Sequence, residues 1–309
     1  QTSDESLTFA RELMRAWGKT TVRCTSTPGF IVNRVARPFY GEAQRMVEEG
    51  VADAATIDLA MREFGGFRMG PMELTDLIGQ DVNLAVGTSV WEQTGHDERY
   101  TPTDFQRQLV ADGRLGRKSG RGVFRYDASG QPLDASPDRA LAVALTTGSI
   151  VTNPVGRTLA MLVNEAVDLV ARGEASAEDV DTAMELGTNY PKGPIAWGAE
   201  IGFDVIAAQL RRLDAAFPGG RYRPSAALAG CGRVRRCRAA ADAGIGNELC
   251  RARSPAVGVG LGHSVARQQH VVDEEMAGRR LGIAGEDQVG GIRQDFRRAA
   301  TAEVDAGNH

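Results

Sequence analysis

The sequence is poor in several residue types, and each shortage argues against a class of protein. Aromatic residues make up 6% of the 309 positions, and no apolar run approaches the roughly 20 residues that a membrane-spanning helix needs. The net charge of −4 gives no reason to expect nucleic acid or a membrane surface as a partner. The cysteines form no CxxC pair, so a disulfide framework and a metal site are both unexpected. A reduced, cytoplasmic protein is the expectation.

Lysine is also scarce, since only Lys19, Lys118 and Lys192 occur and the other 33 of the 36 basic residues are arginine. Lysine and arginine are not interchangeable at a tight polar site, which makes each retained lysine a candidate for a specific role. The N-terminus, residues 1–5, has no initiator methionine and is neither basic nor apolar. It therefore does not read as a signal peptide, and we expect a chain that begins midway through a larger protein.

What the sequence does contain is an internal repeat. Residues 32–82 recur at 155–205 with a constant offset of 123. Matched positions include Arg34 with Arg157, Glu42 with Glu165, Asp58 with Asp181, and Gly70-Pro71 with Gly193-Pro194. One position differs in a polar side chain, because Asn33 is replaced by Gly156. This difference indicates one working copy and one architectural copy.

Helical periodicity dominates both copies and predicts an all-α fold. Residues 5–17 form an amphipathic pattern and 20–24 a short β-branched run, which together predict a helix and a strand like the last piece of a doubly wound α/β domain. A long helix is predicted from Thr27-Pro28 to Gly50, with a kink at Pro38. Tandem helical units of this kind are expected to bury their apolar faces against each other or against a second chain.

The C-terminal segment has a different composition. Residues 229–309 contain 12 arginines, no lysine and a single aromatic residue. A segment so poor in large apolar residues cannot offset its ordering entropy, so we predict a disordered or out-of-frame tail. The glycines at 258–262 imitate half of a dinucleotide-binding fingerprint, but His263 occupies the place of the third glycine.

Three strings occur in order along the chain: STPGFIVNR at 26–34, MGPMELTDLIGQD at 69–81 and GRKSGRGVFRY at 116–126. Together they resemble the C-terminal domain of 3-hydroxyacyl-CoA dehydrogenases, most nearly the 3-hydroxybutyryl-CoA type with tandem C-terminal domains. The resemblance covers about residues 1–226. It implies a remnant of an NAD-binding Rossmann domain at 1–25, a first helical domain at 26–128, a second, degenerate copy at 129–226, and the tail at 227–309.

The resemblance also implies roles for particular residues. Asn33 matches the family's asparagine that hydrogen-bonds the substrate near its reacting oxygen, Pro71 and Met72 match the acyl-thioester pocket, and Lys118 matches a lysine that contacts NAD. Simpler structural roles stay open at each position. Asn33 could serve only the helix start, Gly70-Pro71 could be only a helix start, and Lys118 could belong to a solvated basic turn.

The family oxidises (S)-3-hydroxyacyl-CoA to 3-oxoacyl-CoA with NAD in fatty-acid or aromatic-acid degradation, and the resemblance implies an acyl-CoA substrate and a homodimer. The Gly-rich fingerprint, catalytic histidine and glutamate of its Rossmann domain have no match here, and none of the four histidines occupies a similar setting. The chain alone is therefore predicted to be inactive. The alternative is a non-catalytic helical module for dimerisation or interaction.

Overall fold

The computed structural model describes residues 2–231 of the chain, and these residues are helical. The α-helices are α1 (Asp4–Ala16), α2 (Val32–Val35), α3 (Arg37–Glu48), α4 (Ala54–Glu63), α5 (Pro71–Ile78), α6 (Gln80–Gln93), α7 (Asp104–Ala111), α8 (Arg139–Thr147), α9 (Pro154–Ala171), α10 (Ala177–Thr188), α11 (Pro194–Ile201), α12 (Phe203–Ala216) and α13 (Ala226–Cys231). Between residues 2 and 231 the only β pairing is isolated bridges. The prediction of an all-α fold is confirmed.

The first residues of the predicted C-terminal tail lie within the described part of the chain. Residues 227–231 belong to α13, so the predicted disorder is wrong there. The rest of that prediction, residues 232–309, lies outside the described residues. No helix within 2–231 is both long enough and apolar enough to cross a membrane.

The two sequence copies fold into equivalent helices, with one difference at their start. Helices α4, α5 and α6 recur as α10, α11 and α12, whereas the single helix α9 corresponds to the pair α2 and α3, which is interrupted at Ala36. Pro38 lies in the first turn of α3, where its ring is tolerated, and the predicted kink takes the form of a one-residue interruption at Ala36. The predicted start at Thr27-Pro28 is wrong, because Gly29 and Phe30 have φ angles of 76° and 48°.

The segment before the repeat forms a helix but no strand. Helix α1 begins with a side-chain cap, because the Ser6 N–H donates to Ser3 Oγ at 3.2 Å. The strand predicted at 20–24 is wrong, since only Cys24 forms a bridge, to Ala175. A β-branched run becomes a strand only if a neighbouring strand pairs along its length, and here the second copy supplies pairing at this one point.

The core lies where the two copies meet. Helices α3 and α9, which are repeat equivalents, pack on each other, and α9 is buried along most of its length. Phe67 and Tyr190 are also equivalents, and their rings meet edge to face with centroids 5.1 Å apart. Such contacts between like elements are typical of a two-fold interface. The prediction that the copies bury apolar faces against each other is confirmed.

Candidate functional site

Asn33 stands on a rigid support. The turn before it is tightly packed, because a Cβ on Gly29 would lie 3.0 Å from both Arg34 N and Val90 Cγ2. The next residue, Arg34, is buried and donates to Tyr100 Oη at 2.9 Å and to Glu174 at 2.5 Å. Asn33 itself is exposed in α2, and its side chain makes no hydrogen bond to any described residue. The backbone that carries Asn33 is therefore held by its neighbours, while the amide has no partner among the described residues.

The second copy lacks this amide. At the equivalent position Gly156 lies in the first turn of α9, where its N–H donates to Asn153 Oδ1 at 2.8 Å. Asn153 is thus an ordinary N-cap, whereas the first copy starts its helix without a side-chain cap. The purely structural role left open for Asn33, at the helix start, is not observed, because its side chain does not cap α2.

Lys118 lies on a loop anchored by the buried carboxylate of Asp76. That carboxylate accepts from the N–H groups of Val123 and Phe124 at 2.9 and 3.0 Å and from the Tyr126 hydroxyl at 2.8 Å. A Cβ on Gly122 would lie 2.0 Å from Asp76 Oδ1, which explains why this loop position is a glycine. The segment 121–126 is held by isolated bridges and these hydrogen bonds.

The amine of Lys118 is half-exposed and points to the start of α6. Its Nζ donates to both carboxylate oxygens of Asp81, at 2.5 and 2.7 Å. Although partial desolvation opposes the change, the Lys118 hydrogen bond lowers the pKa of Asp81 below its usual range. Asp81 lies in the first turn of α6, and Gly79 occupies the N-cap position.

Pro71 and Met72 are buried at the first turn of α5. The N–H groups of Met72 and Glu73 each donate to an oxygen of Asp58 at 2.8 Å. A Cβ on Gly70 would lie 2.2 Å from Asp58 Cγ. Burial raises the pKa of Asp58 to about 7, against the two backbone donors that favour its charged form.

The second copy repeats this arrangement. Ile195 and Ala196 donate to Asp181 at 2.8 and 3.0 Å, and a Cβ on Gly193 would lie 2.1 Å from Asp181 Cγ. The Gly-Pro motif with its aspartate is therefore architecture in both copies. A pocket-forming role for Pro71 and Met72 stays a prediction.

The structure brings Asn33 and Lys118 to the same helix without joining them. The turn before Asn33 packs on Val90 near the end of α6, and Lys118 pairs with Asp81 at its start. Nine residues of helix separate these two contacts, which is about 13 Å at 1.5 Å per residue. The two contacts therefore lie near opposite ends of α6.

A buried ionic network joins the copies. Glu42, on α3, accepts from Arg157 at 2.8 Å, from Arg221 at 2.6 Å and from the Tyr222 hydroxyl at 2.7 Å. Burial alone would raise the pKa of Glu42, but Arg221 and Arg157 lower it to about 2. All of these groups are buried.

A second, equivalent network is centred on Glu165 of α9. It accepts from Arg99 at 3.1 Å and from the Tyr100 hydroxyl, and Arg34 Nε lies 3.9 Å away. Each repeat arginine therefore faces the glutamate of the other copy. The sequence repeat matches Arg34 with Arg157 and Glu42 with Glu165. Only the fold reveals that each arginine pairs with the glutamate of the other copy.

Comparison with known proteins agrees with this fold. The family model described as "3-hydroxyacyl-CoA dehydrogenase, C-terminal domain" matches residues 29–126 and 154–247. A 3-hydroxyadipyl-CoA dehydrogenase of Escherichia coli K12 is 40% identical over 70% of this chain and 62% of its own length. A probable 3-hydroxybutyryl-CoA dehydrogenase of Deinococcus radiodurans is 40% identical over 41% of this chain and 45% of its own.

Among solved structures, a 3-hydroxybutyryl-CoA dehydrogenase from Escherichia coli K12 matches with a TM-score of 0.64 and 36% identity, covering 74% of this chain and 65% of that one. The chain spans less than two thirds of the length of these curated relatives. The family match nevertheless includes more than half of the chain, in two segments that fall on the two copies. The chain belongs to the 3-hydroxyacyl-CoA dehydrogenase family and resembles the C-terminal part of such an enzyme.

Proposed function

We propose that this chain is the substrate-side part of an NAD-dependent dehydrogenase that oxidises (S)-3-hydroxyacyl-CoA to 3-oxoacyl-CoA. The observation that supports this most directly is the free amide of Asn33 on a fixed support, together with its deletion at Gly156. Oxidation of an alcohol needs polar groups held around the reacting oxygen, and an amide supplies them without titrating. A cytoplasmic setting is part of the same proposal.

Lys118 supplies the cofactor side of the proposal. A half-exposed ammonium group on an anchored loop fits a single contact to NAD. NAD, when bound, accepts the hydride from the alcohol carbon. The hydroxyl proton must pass to a base, and His96, the one histidine within 2–231, packs instead on Trp91 with ring centroids 4.3 Å apart.

Helix α1 gives independent support for a partner domain. It has no buried residue, and the apolar side chains of Phe9 and Trp17 are 68% and 63% exposed. Large apolar side chains grouped on one exposed helix mark an interaction surface. We infer that α1 belongs to the cofactor-binding domain of the enzyme and packs on the rest of that domain.

The experiment is a reconstitution. The pure chain is expected to give no NADH absorbance with 3-hydroxybutyryl-CoA, and addition or fusion of a family Rossmann domain is expected to produce it. Turnover by the chain alone would overturn the expectation, and a well-folded fusion that stays inactive with every 3-hydroxyacyl-CoA would overturn the proposed function.

Variants of the active fusion test the two side chains. Asn33→Ala should lower kcat/KM at least tenfold, about 1.4 kcal/mol of transition-state stabilisation, while thermal unfolding stays unchanged because the side chain is exposed and unbonded. Lys118→Met should raise KM for NAD. Lys192→Met is the matched control, since Lys192 is also a half-exposed lysine, paired with Glu200 in the second copy.

The competing proposal is a non-catalytic interaction module, favoured by the exposed face of α1. A module of this kind would tolerate Asn33→Ala and Lys118→Met without any functional change. Homodimer formation is a separate proposal under either function. Because α3 and α9 already pack on each other within one chain, a homodimer must use another surface, and light scattering of the purified chain would report its mass.

A further inference from the structure

Phe30 has a backbone conformation that is rare for a large side chain. Its φ angle of 48° lies in the left-handed region, where the Cβ of an ordinary residue is crowded. Within residues 2–231 the other non-glycine residues with a positive φ are His96 and Asn189. Asparagine and histidine are enriched in this region, whereas a bulky residue there is an outlier. Phe30 is thus the one large apolar residue among them that is held in a strained conformation.

The turn that carries Phe30 is fixed, but its ring is not packed away. The Phe30 N–H donates to the Thr27 carbonyl oxygen at 2.9 Å, and the preceding Gly29 is pressed against Val90 of α6. The ring itself is 50% exposed. It belongs neither to the hydrophobic core nor to the side chains that pack against that core. Burial of the ring in the described structure therefore does not explain why the strain is kept.

The second copy shows that this position can be filled without strain. At the repeat offset of 123, Phe30 corresponds to Asn153. Asn153 has a φ angle of −82° and caps α9 by accepting from the Gly156 N–H at 2.8 Å, whereas α2 has no side-chain cap. The strained φ, the missing cap and the exposed aromatic ring each disfavour the folded chain. Strain that surrounding structure maintains in this way is typical of functional sites.

We propose that Phe30 is a substrate-contacting residue, whose ring packs on the apolar part of the acyl-CoA next to the reacting carbon. This inference rests on the proposed function, which places that carbon at Asn33. Three residues of chain span at most about 10 Å, so both side chains start within the length of one CoA ester. An acyl or pantetheine chain laid on the ring would remove its exposed apolar surface from water.

The same geometry favours the substrate over the other two possible occupants. The proposed contact to NAD is made by Lys118 at the start of α6, whereas the turn with Phe30 packs near the end of that helix. A protein surface laid on Phe30 would also crowd Asn33, whose amide must stay open to the substrate. The acyl-CoA is therefore the ligand that fits both residues of this turn.

Kinetics of the active fusion test the contact. Phe30→Ala should raise KM for 3-hydroxybutyryl-CoA about tenfold and leave kcat and KM for NAD unchanged, because the ring contributes to binding before and during reaction alike. Phe30→Tyr keeps the ring and should keep KM. Phe64→Ala is the matched control, since Phe64 is 41% exposed in the same copy with an ordinary φ of −107°. An unchanged KM, or a fall in kcat in its place, would overturn the contact; the second result would mean that Phe30 only supports Asn33.

A fluorescent variant reports the contact without turnover. In the Phe30→Trp fusion, 3-oxobutyryl-CoA should shift the tryptophan emission to shorter wavelength, and the Phe64→Trp fusion should show no such shift. A shift caused by NAD alone would assign the ring to the cofactor. Short-wavelength emission that no ligand changes would assign it to the partner domain. Either result would overturn the proposal.

The two levels of the inference fail in different ways. An unsubstituted, well-folded fusion that turns over no 3-hydroxyacyl-CoA would overturn the proposed function and the contact with it. An active fusion whose Phe30→Ala variant keeps the parental KM would overturn the contact alone.

Discussion

Acid should destabilise this protein through one of the two equivalent glutamates and not through the other. Glu42 has its pKa lowered from 4.5 to about 2, because Arg221 and Arg157 outweigh its burial. Burial raises the pKa of Glu165 instead, because its cations Arg99 and Arg34 are more distant and the nearby charge of Asp168 adds to the rise. The repeat therefore contains its own control, with the same residue type in the same helix position.

The direction in which stability changes with pH follows from proton linkage. The pKa of Glu42 is lower in the folded chain than in the unfolded one, so its contribution is complete above the unfolded value and is lost as pH falls toward the folded value. A shift of two and a half units is worth roughly 3 kcal/mol, of which about 2 kcal/mol should disappear between pH 7 and pH 3. Glu165, with its raised pKa, contributes the opposite slope and loses stability as pH rises.

Urea unfolding at a series of pH values measures both slopes. Glu42→Gln should lose roughly 3 kcal/mol at pH 7, since Arg157 and Arg221 would then face an uncharged amide, and its stability should vary less between pH 7 and pH 3 than that of the wild type. Glu165→Gln should show an acid loss at least as large as that of the wild type, because it removes a group of opposite slope. The reasoning is refuted if Glu42→Gln keeps the acid loss of the wild type or Glu165→Gln removes it. Should Glu42→Gln not fold, Arg221→Met should move the acid loss to higher pH.

Two further outcomes follow from the close packing around the motif glycines and the loop. Gly70→Ala and Gly193→Ala should each destabilise the chain by about 3 kcal/mol, because a methyl group would overlap the aspartate that caps the next helix; a loss below 1 kcal/mol in denaturant unfolding would contradict this. Asp76→Ala should free the loop that carries Lys118, since three hydrogen bonds from residues 123–126 end on that carboxylate. Trypsin should then cleave after Lys118 well before global unfolding, and unchanged resistance of the loop would contradict its anchoring by Asp76.

The features that could be predicted from the sequence are those that depend on neighbours in the chain. Helical periodicity and caps such as Ser3 and Ser176 act over three or four residues, and both caps are present. The strand expected at 20–24 failed because its pairing depends on distant residues. The helix start at 27–28 failed because Gly29 and Phe30 take positive φ angles that a proline in a first turn does not reveal.

The candidate site also combines features that local sequence predicts with features that depend on distant residues. Asn33 and Lys118 could be named from local motifs, and the structure shows that both are accessible. The partner of Lys118 could not be named, because Asp81 lies 37 residues away and looks locally like a helix cap. The exchanged pair of Arg157 and Glu42 spans 115 residues, a distance at which no sequence period indicates contact.

These exchanged pairs explain how the second copy can lose a binding residue and still be needed. Arg34, next to Asn33, is held by Glu174 and Asp168 and lies beside Glu165, all of which belong to the second copy. Removing that copy would leave Arg34 with the Tyr100 hydroxyl but without any of its carboxylate partners, directly beneath the candidate site. The second copy has Gly156 where the first copy has Asn33. The loss of this side chain costs nothing of this kind, because an exposed amide supports no buried charge. The second copy can therefore dispense with the amide but must keep the ionic groups on which the first copy depends.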